Sequence, residues 1–385
     1  MTDPRPLEGV RVLDLSRLLP GPYATMVLAD LGAAVDKVED PAGGDYLRMM
    51  PPQVDGMSAP FHALNRGKRS VVLDLKKPEG REAFLELLPR YDVLVESFRP
   101  GVMGRFGLGY EALRERHPGL VYCAITGYGQ DGPLAGRAGH DLNYLARAGL
   151  LAHTGPEDRP PQVPGVQIAD IGGGGLFAVV GVLAALHERE RTGKGRFVDV
   201  SMCEGSLAFT VFGLMAHLGG MPAPRGAGVL MGGIAPYQTY ATKDGQHVTL
   251  GSLEPKFWNA FCAGVGIEPN MEALAPGPHQ QGWKAKLAGI FAQRTRAEWE
   301  AFAEEHDCCL EPVLLPEEVL TDPQHTARGV FLDGPGGLKL PTTPAGRPAG
   351  AAEAPAQGQH TDEVLREGGL GDARIAALRK AGAIR

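Results

Sequence analysis

Short β runs alternating with helical stretches over the first 130 residues constrain this chain more than any other feature. Residues 10–15 (VRVLDL) read as a strand; Pro20-Gly21-Pro22 then breaks the chain, and residues 23–31 carry helical apolar spacing. Residues 33–38 (AAVDKV), 70–75 (SVVLDL), 92–95 and 120–125 read as further strands. Between the last two β runs before residue 95, residues 78–88 open with a Pro and continue with helical periodicity. Parallel strands need a long crossover, usually a helix, so this alternation implies a parallel sheet with helices on its faces.

The pattern changes further on. Residues 171–190 are a Gly-rich turn feeding a long apolar helix; residues 196–200 read as a strand and 203–218 as a helix. A second region starts near Arg225. Two β runs within 236–250 flank Asp244-Gly245, a strong hairpin signal, and helical stretches follow at 255–265, 283–293 and 296–306. Residues 340–359 are rich in Pro, Ala and Gly and read as an extended crossing, and 361–381 are helical again. The expected fold class is therefore α/β: a large Rossmann-like parallel-sheet domain over 1–220 and a smaller α+β domain over 225–330. Residues 331–385 would form a crossing linker and a C-terminal helix that returns to the large domain.

Charge and targeting signals narrow the function. Lys and Arg total 38 against 45 Asp and Glu, a net charge of −7, which argues against a general nucleic-acid binder. The N-terminus has no basic start followed by an apolar stretch, and no unbroken apolar run of about 18 residues occurs. A cytoplasmic protein with no membrane partner is expected. The five cysteines show no CxxC spacing and read as small buried side chains rather than metal ligands.

Despite the doubly wound pattern, no GxGxxG follows the first strand and no GxxxxGK[ST] occurs. Gly172–Gly175 is either a turn that permits close packing or a helix start whose N–H groups face a developing negative charge; its place directly after Asp170 favours the latter. Basic residues cluster at Arg66, Lys68 and Arg69, at Lys76 and Lys77, and at Arg99 and Arg105. They are either solvated surface or a seat for a phosphate-rich anion across the strand ends. His140 in GHDLNY reads as a capping or core residue when taken alone. Asp170, 30 residues on in VQIADIGGGG, is a helix N-cap or a carboxylate held at a site.

At this point the segments LNRGKRSVVLDLKKPEGR, FRPGVMGRFGLG, GHDLNYLA, IADIGGGG, RERTGKGRFVDVSMCEG, GGIAPYQTYATKDGQHVTLGSLEPKFW and GQHTDEVL carry a resemblance. The chain resembles the family III CoA-transferases (the CaiB/BaiF family) and within them is most similar to the α-methylacyl-CoA racemases. GHDLNY discriminates, because the racemases place His there. The resemblance implies a 2-methylacyl-CoA substrate, with His140 and Asp170 exchanging the C2 proton on opposite faces and Glu254 hydrogen-bonded to the imidazole. The backbone at 170–173 would stabilise the enolate. Val72, Leu73, Asp74, Leu75 and Lys76 match the strand edge lining the CoA nucleotide, and Arg99 and Arg105 match basic residues near its phosphates. Gly139, Asp141, Asn143 and Tyr144 would pass beside the pantetheine arm. One departure is plain: Asp40 stands where a phosphate-facing Arg is expected, leaving Lys37 as the cation that would take over. The family fold implies an interlocked homodimer, in which Glu254 meets His140 of the other chain. No cofactor beyond the CoA moiety is called for. The rival reading is CoA transfer between acids, with Asp170 attacking the thioester to form an acyl-aspartyl anhydride; it needs no His140.

Overall fold

The computed structural model describes residues 5–346, 348 and 353–385. By internal contact the chain divides into one unit of 1–148, 166–208 and 323–385 and another of 149–165 and 209–322. Relative to the expected boundaries, the large unit ends sooner, near 208, and the stretch 149–165 goes with the second unit. Part of the expected crossing, residues 347 and 349–352, lies outside the described residues.

The first unit is built on six parallel strands: β1 (Arg11–Asp14), β2 (Ala34–Glu39), β3 (Lys68–Val72), β4 (Val93–Glu96), β5 (Val121–Thr126) and β6 (Phe197–Ser201). Their order is β3-β2-β1-β4-β5-β6. β4 (VLVE) and β5 (VYCAIT) are near-continuous apolar runs, as strands covered on both faces are, whereas β2 (AVDKVE) and β3 (KRSVV) bury Asp36, Lys37, Glu39 and Lys68 among their apolar residues. On one face Leu13, Val71, Leu94 and Tyr122 meet Phe84 and Leu87 of helix α1 (Pro78–Leu87). The C-terminal helices α2 (Thr361–Glu367) and α3 (Asp372–Lys380) close the same core with Val364, Leu365, Ile375 and Leu378. Thr361 Oγ1 also accepts the Val72 N–H at 3.0 Å.

Ile168–Thr192 forms one long helix that opens with π-helical turns over Ile168–Leu176. By length and composition it could cross a membrane. Here Ala178, Val179, Val182, Ala185 and Leu186 are buried within the unit. Its glycines permit backbone contact: a Cβ at Gly205 would lie 2.1 Å from the Gly173 carbonyl oxygen, and one at Gly173 would lie 2.6 Å from that of Met202.

The second unit has an antiparallel sheet of β7 (Tyr237–Ala241), β8 (His247–Gly251) and β9 (Leu310–Pro312), in the order β9-β8-β7. The Asp244-Gly245 turn joins β7 to β8, with Gly245 at φ 76, a conformation that suits glycine. Trp258, Phe261, Phe291 and Trp299 form its core; Phe291 and Trp299 have ring centroids 4.6 Å apart.

Candidate active site

In an open parallel sheet, ligands bind beyond the carboxyl ends of the strands, where strand order reverses. Here that point is the crevice between β1 and β4, since β2 lies on one side of β1 and β4 on the other. Two cavities open there. One, of about 390 Å³, is lined by Leu15, Val38, Leu73, Leu75, Val102 and Phe106, with Arg17, Asp40 and Lys76 as charged wall residues. The other, of about 610 Å³, is lined by Phe98, Arg99, Arg137, Gly139, His140, Asn143, Tyr144 and Asp170. Arg17, Tyr46 and Phe98 line both.

His140 and Asp170 reach the second cavity from different elements. His140 sits at the N-terminus of a short helix, Asp141–Arg147, and its backbone N–H donates to Asn143 Oδ1 at 3.0 Å. The imidazole is exposed. Asp170 is inside the first π-helical turn, so it is not an N-cap; Gln167 occupies that position. Asp141 Oδ1 accepts the Asp170 N–H at 2.9 Å and ties the two elements together. Burial, then the Asp141 carboxylate, pushes the Asp170 carboxyl up to about 6, while a protonated His140 pulls the other way. A carboxyl near 6 exchanges protons near neutral pH far more readily than an ordinary aspartate.

Gly139 is required for this wall. A Cβ there would lie 2.6 Å from the Tyr144 ring, whose hydroxyl donates to the Gly139 carbonyl at 2.5 Å. Tyr128 meets Tyr144 edge-on, with centroids 5.2 Å apart.

Several expected contacts are revised. Lys37 cannot take over a phosphate contact: it is fully buried, 3.0 Å from Asp45 and 2.7 Å from the Ser16 carbonyl. Asp40 is instead paired with Lys76 at 2.6 Å. The basic run beside β3 is largely structural. Arg66 pairs with Asp30 at 2.6 Å, Lys68 with Asp14 at 3.1 Å and Arg69 with Asp36 at 2.7 Å. Burial lowers the Lys68 ammonium to about 8 despite Asp14. Of the expected strand edge, Leu73, Leu75 and Lys76 line the first cavity, whereas Val72 and Asp74 do not. Arg105 is exposed on the turn that carries Val102 and Phe106 and lines neither cavity; Asp141 also lines neither and accepts the Asp170 N–H. Two backbone donors proposed for the enolate are already committed: Asp170 N–H to Asp141, and Ile171 N–H to the Gln167 carbonyl at 3.1 Å. Glu254 lies in the second unit, exposed, at the start of the helix Pro255–Val265.

Sequence reasoning missed Arg17, Tyr46 and Arg137. Arg17 had a findable signal, since it follows the first strand in the loop where such sheets bind ligands.

A family model described as CoA-transferase family III matches residues 7–361. The α-methylacyl-CoA racemase of Homo sapiens is 38% identical over 387 residues, covering 97% of this chain and 96% of its own. A succinyl-CoA:glutarate CoA-transferase of Mus musculus is 36% identical, covering 94% and 86%. Among solved structures, a CAIB/BAIF family protein from Brucella suis superposes with a TM-score of 0.82 at 33% identity, covering 95% of this chain and 100% of that one.

Proposed function

Because the chain belongs to CoA-transferase family III, we propose that it interconverts the (R)- and (S)-epimers of a 2-methylacyl-CoA by moving the C2 proton. The observation that carries this reading is His140 and Asp170 on the wall of one cavity, with the Asp170 carboxyl near 6. One group removes the proton from one face of C2 and the other returns a proton to the opposite face; their roles swap with direction. The reaction needs one proton shared between the two groups, so that one acts as base while the other acts as acid. The thioester assists, because sulfur delocalises poorly into the carbonyl and leaves the α-proton relatively acidic.

The CoA nucleotide is assigned to the apolar cavity floored by Leu73 and Leu75, with Arg99 near the phosphates and the pantetheine arm passing Gly139, Asn143 and Tyr144. Glu254 is assigned to orient the imidazole, reaching it from the second chain of an interlocked homodimer. Exposed apolar side chains in the second unit support a partner surface: Phe212 is 71% exposed, Leu218 69% and Met221 78%.

The transferase reading has its own support. Asp170 is the residue such chemistry needs as nucleophile, and a CoA-transferase matches nearly as well as the racemase. Incubation with a single epimer in D₂O, with and without a free acid acceptor, separates them. Deuterium at C2 without acyl exchange supports epimerisation. Acyl exchange without deuterium uptake overturns it.

A further inference from the structure

Arg17 is held at the ligand crevice, where, against the effect of burial and beside Lys76, its charge helps lower the Asp40 carboxyl while its N–H donors stay unbonded. It follows β1, where the sheet order reverses, and the loop around it is fixed from several sides. Ser16 N–H donates to Asp14 Oδ1 at 2.8 Å, Arg17 N–H to Ser97 Oγ at 3.1 Å and Leu18 N–H to Asp45 Oδ1 at 3.0 Å. Leu18 adopts φ 64, a left-handed conformation that leucine rarely takes and that persists only where its surroundings enforce it.

The side chain is placed by aromatic rings rather than by a carboxylate. Its guanidinium carbon is 5.6 Å from the Tyr46 ring centroid and 5.6 Å from that of Phe98. Such contacts hold a guanidinium through the ring faces and leave its N–H donors open. Two largely buried arginines of the same unit are matched by acids, Arg48 by Glu39 and Arg66 by Asp30, both at 2.6 Å, whereas Arg99 and Arg137 on the wall of the larger cavity have no such ion pair among the described residues. Among the described residues, the Arg17 guanidinium has neither an ion pair nor a hydrogen bond. The nearby acid, Asp40, is taken by Lys76 at 2.6 Å and by the Ala42 N–H at 2.8 Å. Arg17 therefore presents an open fork at the junction of the two cavities.

We infer that Arg17 is an anion-binding residue of this site, taking an oxyanion of the bound CoA ester through its guanidinium fork. This rests on the reading of the crevice as an acyl-CoA site. Two kinds of oxyanion have the right chemistry: a phosphate of CoA, in its diphosphate or at its ribose 3′ position, and a carboxylate on the acyl group. Both accept two parallel N–H bonds from a guanidinium.

The test is calorimetric binding of CoA, butyryl-CoA, succinyl-CoA and pantetheine to the full chain and to its Arg17→Gln and Arg17→Lys variants, with melting curves to confirm folding. Failure of the unaltered protein to bind CoA would sink the reading of the site itself. Given that binding, loss of one charge-assisted pair should weaken the ligand by roughly 10- to 100-fold. If a CoA phosphate is the partner, all three CoA species weaken in Arg17→Gln and pantetheine does not. If an acyl carboxylate is the partner, succinyl-CoA alone weakens. Arg17→Lys, which keeps the charge and loses the fork, should fall between. Affinities within about twofold of the unaltered protein for every ligand, or an equal loss for pantetheine, would overturn the inference.

Discussion

Asp141→Asn removes a single charge from the surroundings of Asp170 and leaves its shape in place. The Asn Oδ1 still accepts the Asp170 N–H, now 2.9 Å from the Asp141 oxygen, so the π-helical turn keeps its anchor. What changes is proton affinity. The Asp170 carboxyl lies near 6 because burial and then the Asp141 anion disfavour its charge, against the pull of a protonated His140. Full enclosure would make that rise worth about 3 kcal/mol; partial exposure of Asp170 reduces it. Burial outranks Asp141, so removing the Asp141 charge should lower the Asp170 carboxyl by about half a unit to one unit, on the order of 1 kcal/mol. The assay is C2 deuterium uptake against pH, read as kcat/KM for each epimer. Where Asp170 is the base, the acidic limb should fall near pH 6 and move down in the variant. Where Asp170 is the acid, the basic limb should move down with it. An unmoved limb, or one that shifts upward, would refute the assignment of this charge environment to the working carboxyl.

Other consequences follow from the same geometry. Glu96 is 5% exposed, and burial pushes its carboxyl up to about 7 although the Phe98 N–H donates to it at 2.7 Å. A raised carboxyl stabilises the fold at acid pH, and that stability is lost as pH rises through about 4.5 to 7, by at most ~3 kcal/mol. Glu96→Gln should therefore gain in Tm relative to the unaltered protein between pH 5 and pH 8; a difference that does not vary with pH would contradict this. Gly205→Ala would force apart the backbones that meet at Gly173, costing about 1–3 kcal/mol by denaturant unfolding and lowering α-proton exchange through Asp170. Asp14→Ala strands the buried Lys68 ammonium, whose Nζ lies 3.1 Å away, and should cost about 3–5 kcal/mol in the same measurement.

The sheet was legible because its signal is local. β4 and β5 are apolar runs, β1, β2 and β6 carry valines among charged residues, and all five begin and end within a residue or two of expectation. The Asp244-Gly245 hairpin was legible for the same reason, a turn written in two residues. Short helices such as Tyr110–Arg116 and Asp141–Arg147 span too few residues to establish a period. The third strand of the small sheet, Leu310–Pro312, exists only through pairing with β8. Charge was not legible where its partner is distant in sequence. Arg66, Lys68 and Arg69 stood open between solvated surface and an anion seat, and the fold gives them neither role: it pairs them with Asp30, Asp14 and Asp36 from more than 30 residues upstream. Lys37 failed as a phosphate contact for the same reason, since Asp14 and Asp45 enclose it. Conversely, the open fork of Arg17 depends on what is absent around it and on rings from two other segments, which no local pattern encodes.

The central claim is that His140 and Asp170 each serve one face of C2. Its most direct test is proton exchange at C2 in D₂O, started separately from each pure epimer, for the unaltered protein, His140→Ala and Asp170→Asn. Both variants should lose epimerisation, and any residual exchange should be confined to one epimer in His140→Ala and to the opposite epimer in Asp170→Asn. Epimerisation at the unaltered rate in His140→Ala, or residual exchange confined to the same epimer in both variants, would contradict a pair working from opposite faces.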